Sequence, residues 1–268
     1  MPNGTRTKKK TLRSSLCDKV SFTVPTSWDV LTQVQLRVIL KLLYLYGDRP
    51  DGMRVAKFWA LRFFCGFDII RHTDAGWLCL LKEDKRTFIL ADGLLPSLME
   101  QVSWMDHLEE MTVRLEQVGD YRAVDVWLRQ FYFGHYLELE NRYQNFLVTH
   151  DDQQLQKMFR RLYGVQDDDP FIAPDYIAFS VFLWYTAIKK YFANTFTHFL
   201  RPVTDGQQPG TRQSQHQMMQ AQIRLLTKGD VTKFQQVMDS DTWQALAELD
   251  ALARESEEFN RKYGKKPV

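Results

Sequence analysis

Histidines, cysteines and a run of aspartates are the residues of this 268-residue chain that could do chemistry. The six imidazoles stand at His72, His107, His135, His150, His198 and His216. No two lie three or four residues apart, so no helix can present a pair of them to one metal ion. Cys17, Cys65 and Cys79 have no CxxC spacing. Their odd number argues against a disulfide framework and fits a reducing compartment. Asp167-Asp168-Asp169 suits a hard cation by ligand type. Its spacing is not that of an EF-hand, however, and an acidic loop between helices is ordinarily solvated. Glu255, Glu257 and Glu258 most simply balance Arg254, Arg261 and Lys262 on one helix. Phosphate-loop, dinucleotide, nucleophile-elbow and HExxH patterns are all missing. The expectation is a protein with no catalytic residues, no metal and no cofactor: not an enzyme.

What the chain has in quantity is aromatic side chains, 13% of its residues. Trp127, Phe131, Tyr132, Phe133 and Tyr136 occupy more than one face of any helix that holds them, and so do Phe179, Phe182, Trp184, Tyr185, Tyr191 and Phe192. A helix that is apolar all round is covered by its own domain or by a partner. Core packing is the first expectation. The excess points to a partner-binding surface on Trp127, Phe131, Tyr132, Tyr136, Tyr143 and Phe146, because aromatic residues carry interface energy. Lys8-Lys9-Lys10 with Arg13 could touch phosphates, but the absence of stacking residues favours a solubilising tail.

These residues must be positioned by a mainly helical scaffold. Residues 1–19 are polar and aperiodic, which predicts a flexible basic arm. Val20–Val24 alternates and stops at Pro25, as a short edge strand does. Thr32 and Gln35 have capping-box spacing ahead of a helix over 33–46, apolar nearly all round and so expected in the middle of the fold. A second helix over 53–65 ends at Gly66. Three short strands over 67–72, 77–82 and 86–90 predict a small antiparallel meander. Beyond it, helices are predicted over 94–105, over 125–146 with a break near Gly134, and from 149–152 to 162–163. Further helices are predicted from Pro174 to about 196, over 217–226, and from the capping spacing at Asp241 to Tyr263. Residues 202–217 are expected as an exposed loop, and 264–267 as a frayed tail.

The composition is that of an ordinary globular chain: 44% hydrophobic, 25% charged. A net charge of +2 is too small to imply a nucleic-acid or membrane partner for the whole chain. The longest apolar run, residues 176–188, is too short to span a bilayer, and no apolar segment follows the basic N-terminus as a secretory signal requires. The expected class is mainly α (α+β), one helical domain over 20–268 containing the β meander, in the cytoplasm.

Three phrases together carry a resemblance. They are Val24-Pro25-Thr26-Ser27-Trp28-Asp29-Val30-Leu31-Thr32 before a Gln-Leu helix, Arg142-Tyr143-Gln144-Asn145-Phe146-Leu147 running on to Leu155 and Leu162-Tyr163, and Trp184-Tyr185 with Lys189 and the 196–202 segment. Over residues 20 to 262 the chain resembles a poorly characterised family encoded in the tail-gene regions of phages and prophages of Bacteroides-type gut bacteria. The resemblance implies a protein-interaction role in virion morphogenesis, as a tail assembly chaperone or minor tail component, acting in the host cytoplasm or the virion. Its partners would be tail proteins or further copies of the chain. It transfers no functional residues. Two alternatives stay open: a nucleic-acid-binding accessory protein, marked by steep loss of affinity with salt, and an enzyme of unrecognised type, marked by a cleft of convergent titratable groups.

Overall fold

Thr32 and Gln35 close the capping box that starts α1 (Gln33–Tyr46): Gln35 N–H donates to Thr32 Oγ1 at 3.2 Å and Thr32 N–H donates to Gln35 Oε1 at 2.9 Å. The computed structural model describes residues 8–12, 20–200 and 212–263. The chain is mainly α, with a small antiparallel sheet where the meander was expected. It divides into two compact units, Met1–Leu115 and Glu116–Val268.

In the first unit, β1 (Lys8–Leu12) pairs antiparallel with β2 (Val20–Val24), Lys8 opposite Val24. Part of the expected flexible arm is therefore a strand, and the rest of it, 1–7 and 13–19, lies outside the described residues. Alternation along β2 buries Phe22 and Val24. α1 does not sit in the middle of the fold. It buries only Leu36, Ile39, Leu40 and Leu43, while Val34 stays 68% exposed on the opposite side. α2 (Gly52–Cys65) ends at Gly66, whose φ of +64° is the left-handed stop that glycine adopts without strain. The meander β3 (Phe67–Thr73), β4 (Gly76–Leu81) and β5 (Thr87–Leu90) follows in chain order, with a bulge between Ile69 and Arg71. Phe22, Phe67 and Phe88 pack ring to ring at 5.7 to 6.2 Å. The helix expected over 94–105 is broken. α3 (Leu95–Met99) runs into 3₁₀ turns at Val102, which leaves helical geometry (φ −109°, ψ 21°) with its side chain fully buried.

The second unit begins with the hairpin β6 (Gln117–Val118) and β7 (Tyr121–Arg122). The long helix expected over 125–146 starts late, as α4 (Phe133–Thr149). Its first third is diverted by two aspartates. Asp125 Oδ1 accepts from Trp127 and Arg129 N–H, and Asp241 Oδ2 accepts from Gln130 N–H at 2.8 Å. Backbone bonds Phe133 N–H to Ser240 O and Thr242 N–H to Phe131 O, both 2.8 Å, then bridge Tyr132 to Asp241. α5 (Asp152–Leu162) is capped by Asp151, which accepts from Gln153 N–H, and packs against both α4 and α6 (Asp175–Thr195). α6 buries apolar residues around most of its circumference, from Ile177 to Phe192. α7 (Arg212–Thr227) begins inside the expected 202–217 loop, whose residues up to 211 lie outside the described ones, as do 264–268. α8 (Phe234–Met238) was not foreseen. α9 (Thr242–Tyr263) opens where Asp241 Oδ1 accepts from Trp243 and Gln244 N–H. Among the described residues no helix is long and apolar enough to cross a membrane.

Candidate functional site

In the second unit, the diverted 124–132 segment and the first turn of α4 form one wall of an open cleft of about 420 Å³. The end of α5 and the 164–167 turn form the other. The first wall contributes Gln130, Phe131, Tyr132 and His135, and the second contributes Arg160 and Arg161. Phe131 is buried as its floor, and the Tyr132 ring is 54% exposed on its rim. The His135 ring packs between the two, with centroids 5.5 Å from Phe131 and 5.4 Å from Tyr132.

Arg160 is structural as well as lining. Its guanidinium donates to the carbonyls of Phe171, at 3.1 Å, and Gln166, fixing the turn behind the cleft. Arg161 Nε donates to Glu138 Oε2 at 2.8 Å, and its Nη1 lies 3.5 Å from His135 Nε2. Burial, and then the Arg161 charge, pull the His135 pKa below its ordinary value, outweighing the opposite pull of Glu138 and Asp239. At neutral pH the imidazole is therefore uncharged, and the positive charge of the cleft sits on guanidinium groups. Both guanidinium groups are engaged within the unit, Arg161 Nε and Nη2 on Glu138 Oε2 at 2.8 and 2.6 Å and Arg160 on the Phe171 and Gln166 carbonyls. Asp167 also lines the cleft, so the exposed Tyr132 ring is its main open contact.

The rim is strained. Leu128 and Gln130 both have φ of +56°, a left-handed conformation that costs a non-glycine residue roughly 1–2 kcal/mol. Leu128 is wholly buried, which holds it there, whereas Gln130 is exposed and is held through its N–H on Asp241. Gln130→Gly should relieve that strain and raise stability by about 0.5–1 kcal/mol, measurable as an increased urea midpoint. A lower midpoint would mean that the glutamine side chain contributes more than its backbone costs.

Of the six aromatic residues expected to bind a partner, the structure brings only Phe131 and Tyr132 to the cleft. Tyr136 and Tyr143 are buried and withdrawn from any surface, because α4 turns its rings into its own unit. Tyr136 packs on Phe133 and Phe192, and Tyr143 stacks on Phe182 at 5.2 Å. Phe146 is half-buried against the same Phe182 at 5.0 Å. Trp127 lies over Tyr191 at 4.3 Å, and its carbonyl accepts from Trp243 Nε1 at 2.7 Å. His135, Arg160, Arg161 and Gln130 were missed. They are far apart in sequence or carry no spacing signal, and only packing of α4 on α5 brings them together.

The other chemistry-bearing residues have local explanations. Asp169 accepts from the Tyr121 hydroxyl and, at 2.8 Å, from Phe171 N–H, and the tyrosine bond chiefly holds its pKa low. The carboxylate thus closes its own loop. Burial pushes the Cys65 thiol up to about 12 and Cys79 up to about 11, so both are poor nucleophiles. Cys17 lies outside the described residues. His107, Glu109 and Glu110 bring ligand atoms within 4.8 Å of one another on an exposed turn of the first unit, a grouping that contains a single histidine. No family model matches the chain, and no match to it was found among curated proteins or solved structures.

Proposed function

We propose that this is a non-enzymatic interaction protein whose second unit takes an extended segment of a protein partner into the cleft of Tyr132 and Arg161. The observation that carries the reading is the exposed Tyr132 ring beside guanidinium groups that neighbouring carbonyls and Glu138 hold in place. Tyrosine and arginine are the residues in which binding energy concentrates, and groups fixed in advance lose little freedom on binding. The family resemblance supplies the partner class, a phage tail protein met in the host cytoplasm or the virion, with the chain acting as assembly chaperone or minor component.

The test is capture of partners by the tagged full chain from producing cells, with mass spectrometry, followed by titration of the recovered partner. Tyr132→Ala and Arg161→Ala should each weaken binding about tenfold or more, with unchanged circular dichroism. If both folded variants bind as tightly as the parent, the cleft is not the site. A parent chain recovered alone would remove the interaction reading itself.

A further inference from the structure

We propose that the C-terminal half of α9 is a self-association surface, taking the same segment of a second copy of this chain in antiparallel register. Apolar and small residues recur along α9 at Ala245, Leu249, Leu252, Ser256, Phe259 and Tyr263, spaced alternately by four and three. That is the seam of a two-stranded coiled coil. Ala245 and Leu249 are buried within the unit. The seam then runs on into solvent, where Phe259 is 62% and Tyr263 71% exposed, their rings 5.0 Å apart. The flank bearing Asp250 and Glu257 is taken by the 198–199 segment: Asp250 accepts from His198 and Phe199 N–H, and Glu257 pairs with His198 at 3.0 Å. The seam lies on a different side of the helix, half-buried at Leu252 and, among the described residues, exposed at Ser256, Phe259 and Tyr263.

Charge decides the occupant and its direction. The positions flanking the seam hold Glu255 and Lys262 on one side and Ala253 and Asn260 on the other. A parallel pair would set Glu255 against Asn260 and gain nothing. An antiparallel pair sets Glu255 of each copy against Lys262 of the other, twice by symmetry. The same register places Phe259 opposite Ser256, a large residue against a small one, and Leu252 opposite Tyr263. Among the described residues no salt bridge engages Glu255 or Lys262, which stand too far apart on one helix to pair with each other. The overlap of 252–263 is only about 18 Å long, so the dimer is reversible and dependent on concentration.

Sedimentation equilibrium of the full chain at low salt tests this. The parent should show a monomer–dimer equilibrium, and Phe259→Ala with Tyr263→Ala should weaken it about tenfold or more. Glu255→Lys alone, or Lys262→Glu alone, should weaken it about fivefold, while the double swap should return it to within about twofold of the parent. A parent that stays monomeric, a dimer indifferent to the ring substitutions, or a double swap no better than either single one would each overturn the proposal. The cleft residues are untouched in all these variants. Loss of the dimer with partner capture intact, or the reverse, therefore separates this surface from the cleft.

Discussion

Trp184→Ala should unfold the second unit at temperatures where the parent is folded, losing about 3–5 kcal/mol of stability. Trp184 is 1% exposed in the middle of α6, so truncation opens a hole the size of an indole among side chains that cannot collapse to fill it. It also removes the Nε1–H bond to the Val126 carbonyl, 3.1 Å long, which helps hold the segment leading to the cleft. Marginally stable domains do not tolerate a loss of that size. Trp184→Phe keeps most of the ring and should cost about 1–2 kcal/mol, chiefly through the orphaned carbonyl. Urea denaturation followed by circular dichroism separates the two. An alanine variant within about 1 kcal/mol of the parent would show that α6 does not anchor this core.

Glu140→Ala should cost about 2–3 kcal/mol, less than a fully buried ion pair loses when broken, because the site is partly open to water. Glu140 on α4 is the hub of a polar cluster inside an otherwise apolar contact with α6. It accepts from Lys189, from Gln144 at 2.7 Å and from the Tyr185 hydroxyl at 3.2 Å. Burial pushes its pKa up, but the Lys189 charge and the three hydrogen bonds outweigh that and hold it below the usual value. A carboxyl with a depressed folded-state pKa stabilises the fold fully above its unfolded pKa of about 4.3, and that contribution fades as pH falls through the lower folded value. The stability gap between the parent and Glu140→Gln should therefore be widest near neutral pH and shrink in acid. A gap that is constant across the acid range would place the hub's value in packing rather than charge.

The elements that were legible in the sequence are those built from local signals. The capping box at Thr32, the glycine stop at Gly66 and the alternating runs of the meander each lie within a few residues of the structure they specify. Failures occur where a distant residue decides. Residues 125–132 have helical periodicity, yet Asp125 offers their N–H groups a competing acceptor and Asp241 binds Gln130 from 111 residues away. Val102 likewise leaves the helix while fully buried. For the cleft, composition singled out Phe131 and Tyr132 among its lining residues. It could not separate them from Tyr136 and Tyr143, because which face of α4 is covered depends on α5 and α6. Nothing at the level of spacing joins His135 to Arg161; the turn at Gly164 and the packing of two helices do.

Asp241 and Thr242 have a bearing on when the cleft can exist. Gln130 N–H and the Phe131 carbonyl are bonded to residues 111 positions later, and Thr242 Oγ1 adds a second bond to that carbonyl at 2.6 Å. During synthesis the 124–132 segment leaves the ribosome long before its anchors do. The rim is therefore the last part of the cleft to be set, after the start of α9 has been made. A chain cut short before residue 241 lacks the acceptor for Gln130 N–H and the donors to the Phe131 carbonyl. The geometry of residues 130–131 thus depends on residues made 111 positions later.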